Sequence, residues 1–175
     1  SLTVAIPILS AMGVQCCPLP TAFLSTHTGG FEGFTFLDMT DEMPRVAAHW
    51  ARLGLEFQAI YSGFLGSERQ IAIVADFIHR FRRSGTIVVV DPVMGDFGRI
   101  YQTYTAAMCG GMARLAALAD VITPNLTEAL LLLGEDEIKV SQYGQWIELE
   151  GIRRGVARVI YRLDSHIRMA RYDKE

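Results

Sequence analysis

The chain has 175 residues, half of them hydrophobic and 20% charged, with a formal net charge of −3. That length suits one well-packed domain, and that balance marks a globular protein, not a disordered one. Mild acidity and scattered arginines exclude a basic nucleic-acid footprint, and no apolar run reaches membrane-spanning length. Cys16, Cys17 and Cys109 form neither a disulfide framework nor a zinc pattern, so the expectation is reduced thiols in a cytoplasmic protein.

In chain order, Ile6, Ile8, Leu9 and Met12 are spaced for one helical face, and Gly13 ends the helix. No strand precedes it, so the sequence reads as opening mid-domain. Residues 14–19 are a short apolar strand candidate whose end Pro18 and Pro20 restrict. The segment LSTHTGG at 24–30 is a polar, glycine-closed loop. It can be an ordinary turn, or it can present hydroxyls and backbone N–H groups to a ligand. Residues 34–39 suggest a short edge strand. Thr40 or Asp41 is the expected cap of a helix running to Leu53, with Val46, Ala47, Trp50 and Leu53 along one side.

Residues 57–62 (FQAIYS) are the next strand. Ser67 and Gln70 have the spacing of a capping box. They open a helix whose Ile71, Val74, Ala75, Ile78 and Phe81 form an apolar stripe, which is read as core. Gly85 then hands the chain to residues 86–96, TIVVVDPVMGD. The unbroken apolar run is the pattern of a strand buried on both faces, as in a parallel sheet. Pro92 and Gly95 stop it and leave Asp91 and Asp96 at its carboxyl end, where open α/β sheets bind ligands. Residues 97–104 form a polar and aromatic loop containing Arg99 and Tyr101. Residues 106–118 are helical, weakened at Gly110 and Gly111. A very short strand at 119–122 ends in TPNLTE, and a helix through Ala129 to Leu133 is closed by Gly134.

This alternation predicts an α/β fold with a mostly parallel sheet and right-handed crossovers. Past Gly134 the pattern breaks. Residues 135–150 show no period, although a further strand–helix unit is expected there. Residues 156–163 and 166–172 read as a hairpin about Asp164 and Ser165.

Two strand ends thus carry acidic or amide groups, Asp91 and Asp96 after one, Asn125 and Glu128 after the other. If the strands are neighbours, these groups line one crevice. Such oxygens beside a phosphate suit Mg²⁺, which keeps much of its hydration shell. The N-x-x-E spacing serves equally as a helix cap, with Glu128 favoured by the helix dipole. Both readings stand at this point.

Together the motifs resemble the bacterial pyridoxal kinases of the ribokinase-like superfamily. SLTVAIPILSAMGVQ, LSTHTGGF, AIYSGFLGS, VVVDPVMGD with GRIY after it, and ADVITPNLTEA follow in that family's order over most of residues 1–134. DPVMGD with TPNLTEA marks the branch of pyridoxal and hydroxymethylpyrimidine kinases, and STHTGG with YSGFLGS favours the pyridoxal side. The resemblance implies one three-layer αβα domain over residues 1–175, with a mostly parallel central sheet and a C-terminal β-hairpin. It implies ATP-dependent phosphorylation of the 5′-hydroxymethyl group of pyridoxal, pyridoxine or pyridoxamine in vitamin B6 salvage, and a homodimer. Thr28, Gly29 and Phe64 would meet the pyridine substrate, Phe64 by ring stacking. Asp91, Asp96, Tyr101, Asn125 and Glu128 would lie on the ATP side, with Asp91 and Glu128 toward Mg²⁺.

The departures from the family pattern also carry expectations. Its first strand, with a substrate-binding serine, would precede Ser1. Its GTGD-type turn, which supplies the catalytic aspartate and an N–H cradle for phosphate, is not in the sequence through Glu175. The base is therefore expected beyond Glu175. Three readings result: part of a pyridoxal kinase, a hydroxymethylpyrimidine kinase, or a non-catalytic remnant that holds a vitamer or nucleotide.

Overall fold

A computed structural model describes residues 2–26 and 32–134, together with the backbone of strands at 138–143, 146–151, 157–162 and 170–174. The chain divides into two compact units, Ser1–Leu55 and Glu56–Glu175.

The first unit holds α1 (Leu2–Ala11), β1 (Ala22–Leu24), β2 (Phe36–Asp38) and α2 (Met43–Arg52). α1 ends as expected, with Gly13 at φ +79° and the Val14 N–H bonded back to the Leu9 carbonyl. The strand expected at 14–19 does not form. Pro18 and Pro20 offer no N–H to a ladder, and pairing begins beyond them, where β1 runs antiparallel to β2 with Ala22 opposite Asp38. The expected cap of α2 is also corrected. Glu42 is the N-cap and makes no side-chain cap bond, Pro44 presets the first turn, and Thr40 instead donates its N–H to Asp38 Oδ1 at 2.9 Å.

The second unit contains β3 (Ala59–Ser62), α3 (Glu68–Phe81), β4 (Ile87–Val90), β5 (Gly95–Asp96), β6 (Arg99–Ile100) and α4 (Ala106–Ala116). It continues with β7 (Val121–Ile122), α5 (Leu126–Leu133), β8 (Ile138–Tyr143), β9 (Trp146–Gly151), β10 (Ala157–Arg162) and β11 (Ala170–Lys174). Seven of these strands form one sheet in the order β3-β4-β7-β11-β10-β9-β8. Pairing is parallel from β3 through β4 to β7. It is antiparallel from β7 on to β8. The α/β class holds, with its parallel pairing confined to one half of the sheet. The expected C-terminal hairpin is β10–β11. A second hairpin, β8–β9, occupies the stretch that shows no period in the sequence. Antiparallel strands joined this tightly need no crossover helix, so the expected strand–helix unit is replaced.

The core lies on one face of the parallel half. Ile60, Val88, Val90 and Ile122 are buried there, while Tyr61 and Ile87 on the opposite face are 55% and 52% exposed. The two-sided burial expected of the IVVV run is therefore not met among the described residues. α3 adds Ile71, Val74, Phe77, Ile78 and Phe81 to the core, and α4 lies between α3 and α5. Phe57, Phe77 and Phe81 stack in a trio, with centroids 4.4–5.8 Å apart, and fix the end of α3 against the approach to β3.

Two polar devices hold strand ends. Ser67 Oγ accepts the Gln70 N–H at 3.2 Å, half of the expected box, but the Gln70 carbonyl reaches past Ser67 to the Gly66 N–H at 2.7 Å. At the other end, Asp120 accepts the Val88 N–H (2.8 Å) and the Arg82 guanidinium (2.6 Å), which extends the short β4–β7 ladder.

The weak point at Gly110 and Gly111 divides in two. Gly110 is exposed, whereas an added Cβ at Gly111 would lie 3.4 Å from Ile71 Cδ1, where α4 meets α3. Gly110→Ala should stabilise the fold by about 0.5–1 kcal/mol through backbone entropy. Gly111→Ala should gain less, because Ile71 has to accommodate the methyl. Denaturant midpoints of the two variants check this order.

Candidate active site

The register of the parallel strands levels their carboxyl ends. Ser62 pairs with Val90, and Val90 with Ile122. The Asp91 N–H continues the first ladder to Ser62 O (2.8 Å), and the Thr123 N–H the second to Val90 O (3.2 Å). Phe64, Asp91 and the TPNLTE segment therefore leave the sheet along one edge, the edge where such sheets bind ligands.

After Pro92 and the fully buried Met94 the chain turns into the β5–β6 hairpin, with Asp96 opposite Arg99. Its two connecting residues, Phe97 at φ +49° and Gly98 at φ +75°, both take the positive φ that a tight I′ connection requires. A Cβ at Gly95 would fall 2.3 Å from Arg99 O, so no larger residue fits the hairpin there. The polar loop expected over 97–104 thus begins as paired structure.

The first turn of α5 grips this hairpin. Asn125 Oδ1 accepts the Glu128 N–H and Glu128 Oε2 accepts the Asn125 N–H, each at 2.9 Å, a complete capping box. The same two side chains reach outward. Glu128 Oε1 accepts the Met94 N–H (3.2 Å), and Asn125 Nδ2 donates to Gly95 O (2.8 Å). The capping reading is borne out, and the same two residues also bind the backbone of the turn after β4.

The electrostatics show the same convergence. Burial lifts the Asp91 carboxyl above its usual range, opposed by a hydrogen bond from Thr123. Burial also pushes Glu128, only 4% exposed, up to about 7, with the Asp91 charge adding to the rise and backbone N–H groups of Asn125, Met94 and Gly95 opposing it. The Tyr101 hydroxyl is raised first by burial, then by Glu128, Asp96 and Asp91. The structure thus brings Asp91, Asp96, Tyr101, Asn125 and Glu128 together. Phe64 stands on the same edge, at the end of β3. Thr28 and Gly29 lie outside the described residues.

Sequence reasoning missed the supporting hydroxyls. Thr123 holds Asp91, and Thr127 Oγ1 accepts the Gly98 N–H at 2.8 Å. Knowing that β4 and β7 are neighbours in register would have exposed Thr123, since it leaves the sheet level with Asp91. Ser62 Oγ and the Tyr104 hydroxyl are buried with no partner among the described residues. Burial pushes the Tyr104 hydroxyl well up, with Cys109 and then Glu128 adding to the rise.

No set of three or more His, Cys, Asp or Glu side chains among the described residues is placed to hold a metal by itself. No helix among them is long and apolar enough to cross a membrane.

The phosphomethylpyrimidine kinase family matches residues 6–159. The chain belongs to that family. A hydroxymethylpyrimidine/phosphomethylpyrimidine kinase from Mycobacterium leprae is 33% identical over 130 residues, covering 74% of this chain and 46% of its own. Among solved structures, a Bacteroides thetaiotaomicron protein assigned as a phosphomethylpyrimidine kinase and crystallised with pyridoxal is 44% identical. It superposes with a TM-score of 0.77 over 94% of this chain and 64% of that one. Pyridoxal kinase from Lactobacillus plantarum is 29% identical, with a TM-score of 0.76 over 100% of this chain and 66% of that one. These likenesses bear out the ribokinase-like fold. The chain spans about half the length of the curated relatives it matches.

The raised Glu128 carboxyl has a measurable consequence. Its carboxyl moves from 4.5 to about 7 on folding, so the protonated form favours the folded state. That contribution is full below pH 4.5 and is lost as pH rises through about 7. Glu128→Gln removes the titration. The stability of the native chain relative to this variant should therefore fall between pH 4.5 and 7, as read by chemical denaturation across that range.

Proposed function

We propose that the protein transfers the γ-phosphoryl group of ATP to the 5′-hydroxymethyl group of a pyridoxal-type vitamer. The observation that carries this reading is the single sheet edge that gathers Asp91, Asp96, Tyr101, Asn125 and Glu128 beside Phe64. Phosphoryl transfer asks a protein mainly to position groups and to balance charge, and an edge built from pinned carboxylates suits that task.

In this reading Asp91 and Asp96 face the phosphate side of the crevice, and Thr123 holds the Asp91 carboxylate in place. Asn125 and Glu128 fix the turn that carries Asp96, and Tyr101 borders the same space. Phe64 offers its ring to the pyridine. The donor set fits magnesium in the form that keeps waters and takes its remaining ligands from phosphate. The Asp91 and Glu128 carboxyls each resist ionisation in their present surroundings, a resistance that a cation would relieve. Asp91 and Glu128 are the residues that would hold it, and when bound it would neutralise phosphate charge. Glu128 already spends both oxygens on backbone N–H groups, so Asp91 is the more available of the two. A homodimer belongs to the same reading.

The pyridoxal choice is supported by the 44% identity to the protein crystallised with pyridoxal. Hydroxymethylpyrimidine is the second reading, favoured by the Mycobacterium leprae relative. Turnover with ATP should give a higher kcat/KM for pyridoxal than for hydroxymethylpyrimidine, and the reverse order would overturn the choice. Saturable binding of both substrates without product would point to a holding role instead.

Asp91→Asn separates the two sides of the crevice. Losing a charge-assisted contact should weaken magnesium–ATP binding by about tenfold or more, while pyridoxal binding stays near its original value. Titration calorimetry with each ligand measures both, and equal losses would count against this division.

A further inference from the structure

Asn125 and Glu128 grip the backbone at Met94 and Gly95, at the base of the β5–β6 hairpin. The tip is held differently. Phe97 is 94% exposed, so packing cannot be what keeps it in the left-handed region at φ +49°. Such a conformation costs energy for a bulky residue and persists only where neighbouring contacts hold it. The tight β5–β6 pairing imposes that φ, and the hydrogen bond from the Gly98 N–H to Thr127 Oγ1, 2.8 Å long, ties the tip to the same helical turn that carries Asn125 and Glu128. Asp96 is tied to this tip as well, because its Oδ1 accepts the Phe97 N–H at 2.8 Å. Moving the tip therefore moves the Asp96 carboxylate.

We infer that Thr127 is a positioning residue whose hydroxyl fixes the hairpin tip, and through it the orientation of Asp96, for the nucleotide side of the reaction. It acts through the Gly98 amide and need not touch ATP. The inference rests on the reading of this edge as the ATP side. It extends that reading by giving a role to a threonine that looks, in the sequence, like an ordinary first-turn residue.

Thr127→Val keeps the shape of the side chain and removes the acceptor, whereas Thr127→Ser keeps the hydroxyl. In the full protein, Thr127→Val should raise KM for ATP by roughly threefold to tenfold, as expected for one lost hydrogen bond. KM for pyridoxal and the thermal midpoint should stay near the original values, and Thr127→Ser should restore KM for ATP. An unchanged KM for ATP in Thr127→Val, a parallel rise for both substrates, or no rescue by serine would overturn the inference. Hydrogen exchange at the Gly98 amide gives a second readout that needs no turnover. It should quicken in Thr127→Val and return in Thr127→Ser, and an unchanged rate would defeat the positioning role. If the unaltered protein turns over no ATP while the exchange result holds, the kinase reading fails and the structural role of Thr127 stands.

Discussion

Glu128 is a buried carboxylate whose two oxygens each take a backbone N–H from a different part of the second unit. One bond closes the N-terminus of α5 on Asn125, and the other seizes Met94 in the turn after β4. Burying a carboxylate costs several kcal/mol in principle unless hydrogen bonds compensate. Here N–H groups that would otherwise be orphaned at a helix start and in a strand-ending turn offset part of that cost, and burial still pushes the carboxyl up to about 7. The carboxylate therefore exchanges its own solvation for the geometry of two elements at once. Remove it and the cap, the turn and the placement of Asp96 lose a common anchor.

This arrangement explains why a structural and a functional reading of N-x-x-E need not compete. A helix N-terminus brings partial positive charge and free N–H groups, and a crevice at the carboxyl ends of parallel strands lies against such termini. A carboxylate that caps α5 is thereby delivered to the carboxyl ends of the parallel strands, close enough to Asp91 for their charges to oppose each other. Asn125 shows the same economy, accepting from Glu128 N while donating to Gly95 O. Family membership gives the cluster its setting, and the residues that hold the cluster together are those that end the secondary structure.

Much of the site was legible in the sequence because its motifs are punctuation. Pro92 and Gly95 stop a strand, Asn125 starts a helix and Gly134 ends it, and each does so by local sterics or local hydrogen bonding. What was not legible depended on partners distant in the chain. The strand misplaced at 14–19, the hairpin at 138–151 and the Gln70 bond to Gly66 all turn on which backbone groups find a partner. Apolar pattern alone does not say. Thr123 and Thr127 were overlooked for the same reason, since a hydroxyl reveals its use only when the strand or hairpin it meets is known.

The sequence by itself determined the class of the fold, the strand-ending turn with its two carboxylates, the capped helix after TPN, and the family resemblance those motifs carry. These follow from short-range rules of periodicity, turn chemistry and capping. Tertiary structure alone decided that β3, β4 and β7 lie side by side in level register, that the rest of the sheet runs antiparallel, and that α5 clasps the β5–β6 hairpin by its backbone. Register and clasp are pairings between groups about thirty residues apart, as from Met94 to Glu128, and their outcome depends on loop closure and on which polar groups are left to satisfy. That is why Asp91, Asp96 and Glu128 could be named one by one from the sequence, while their meeting at one edge followed there only on the condition that the strands are neighbours, or from the resemblance.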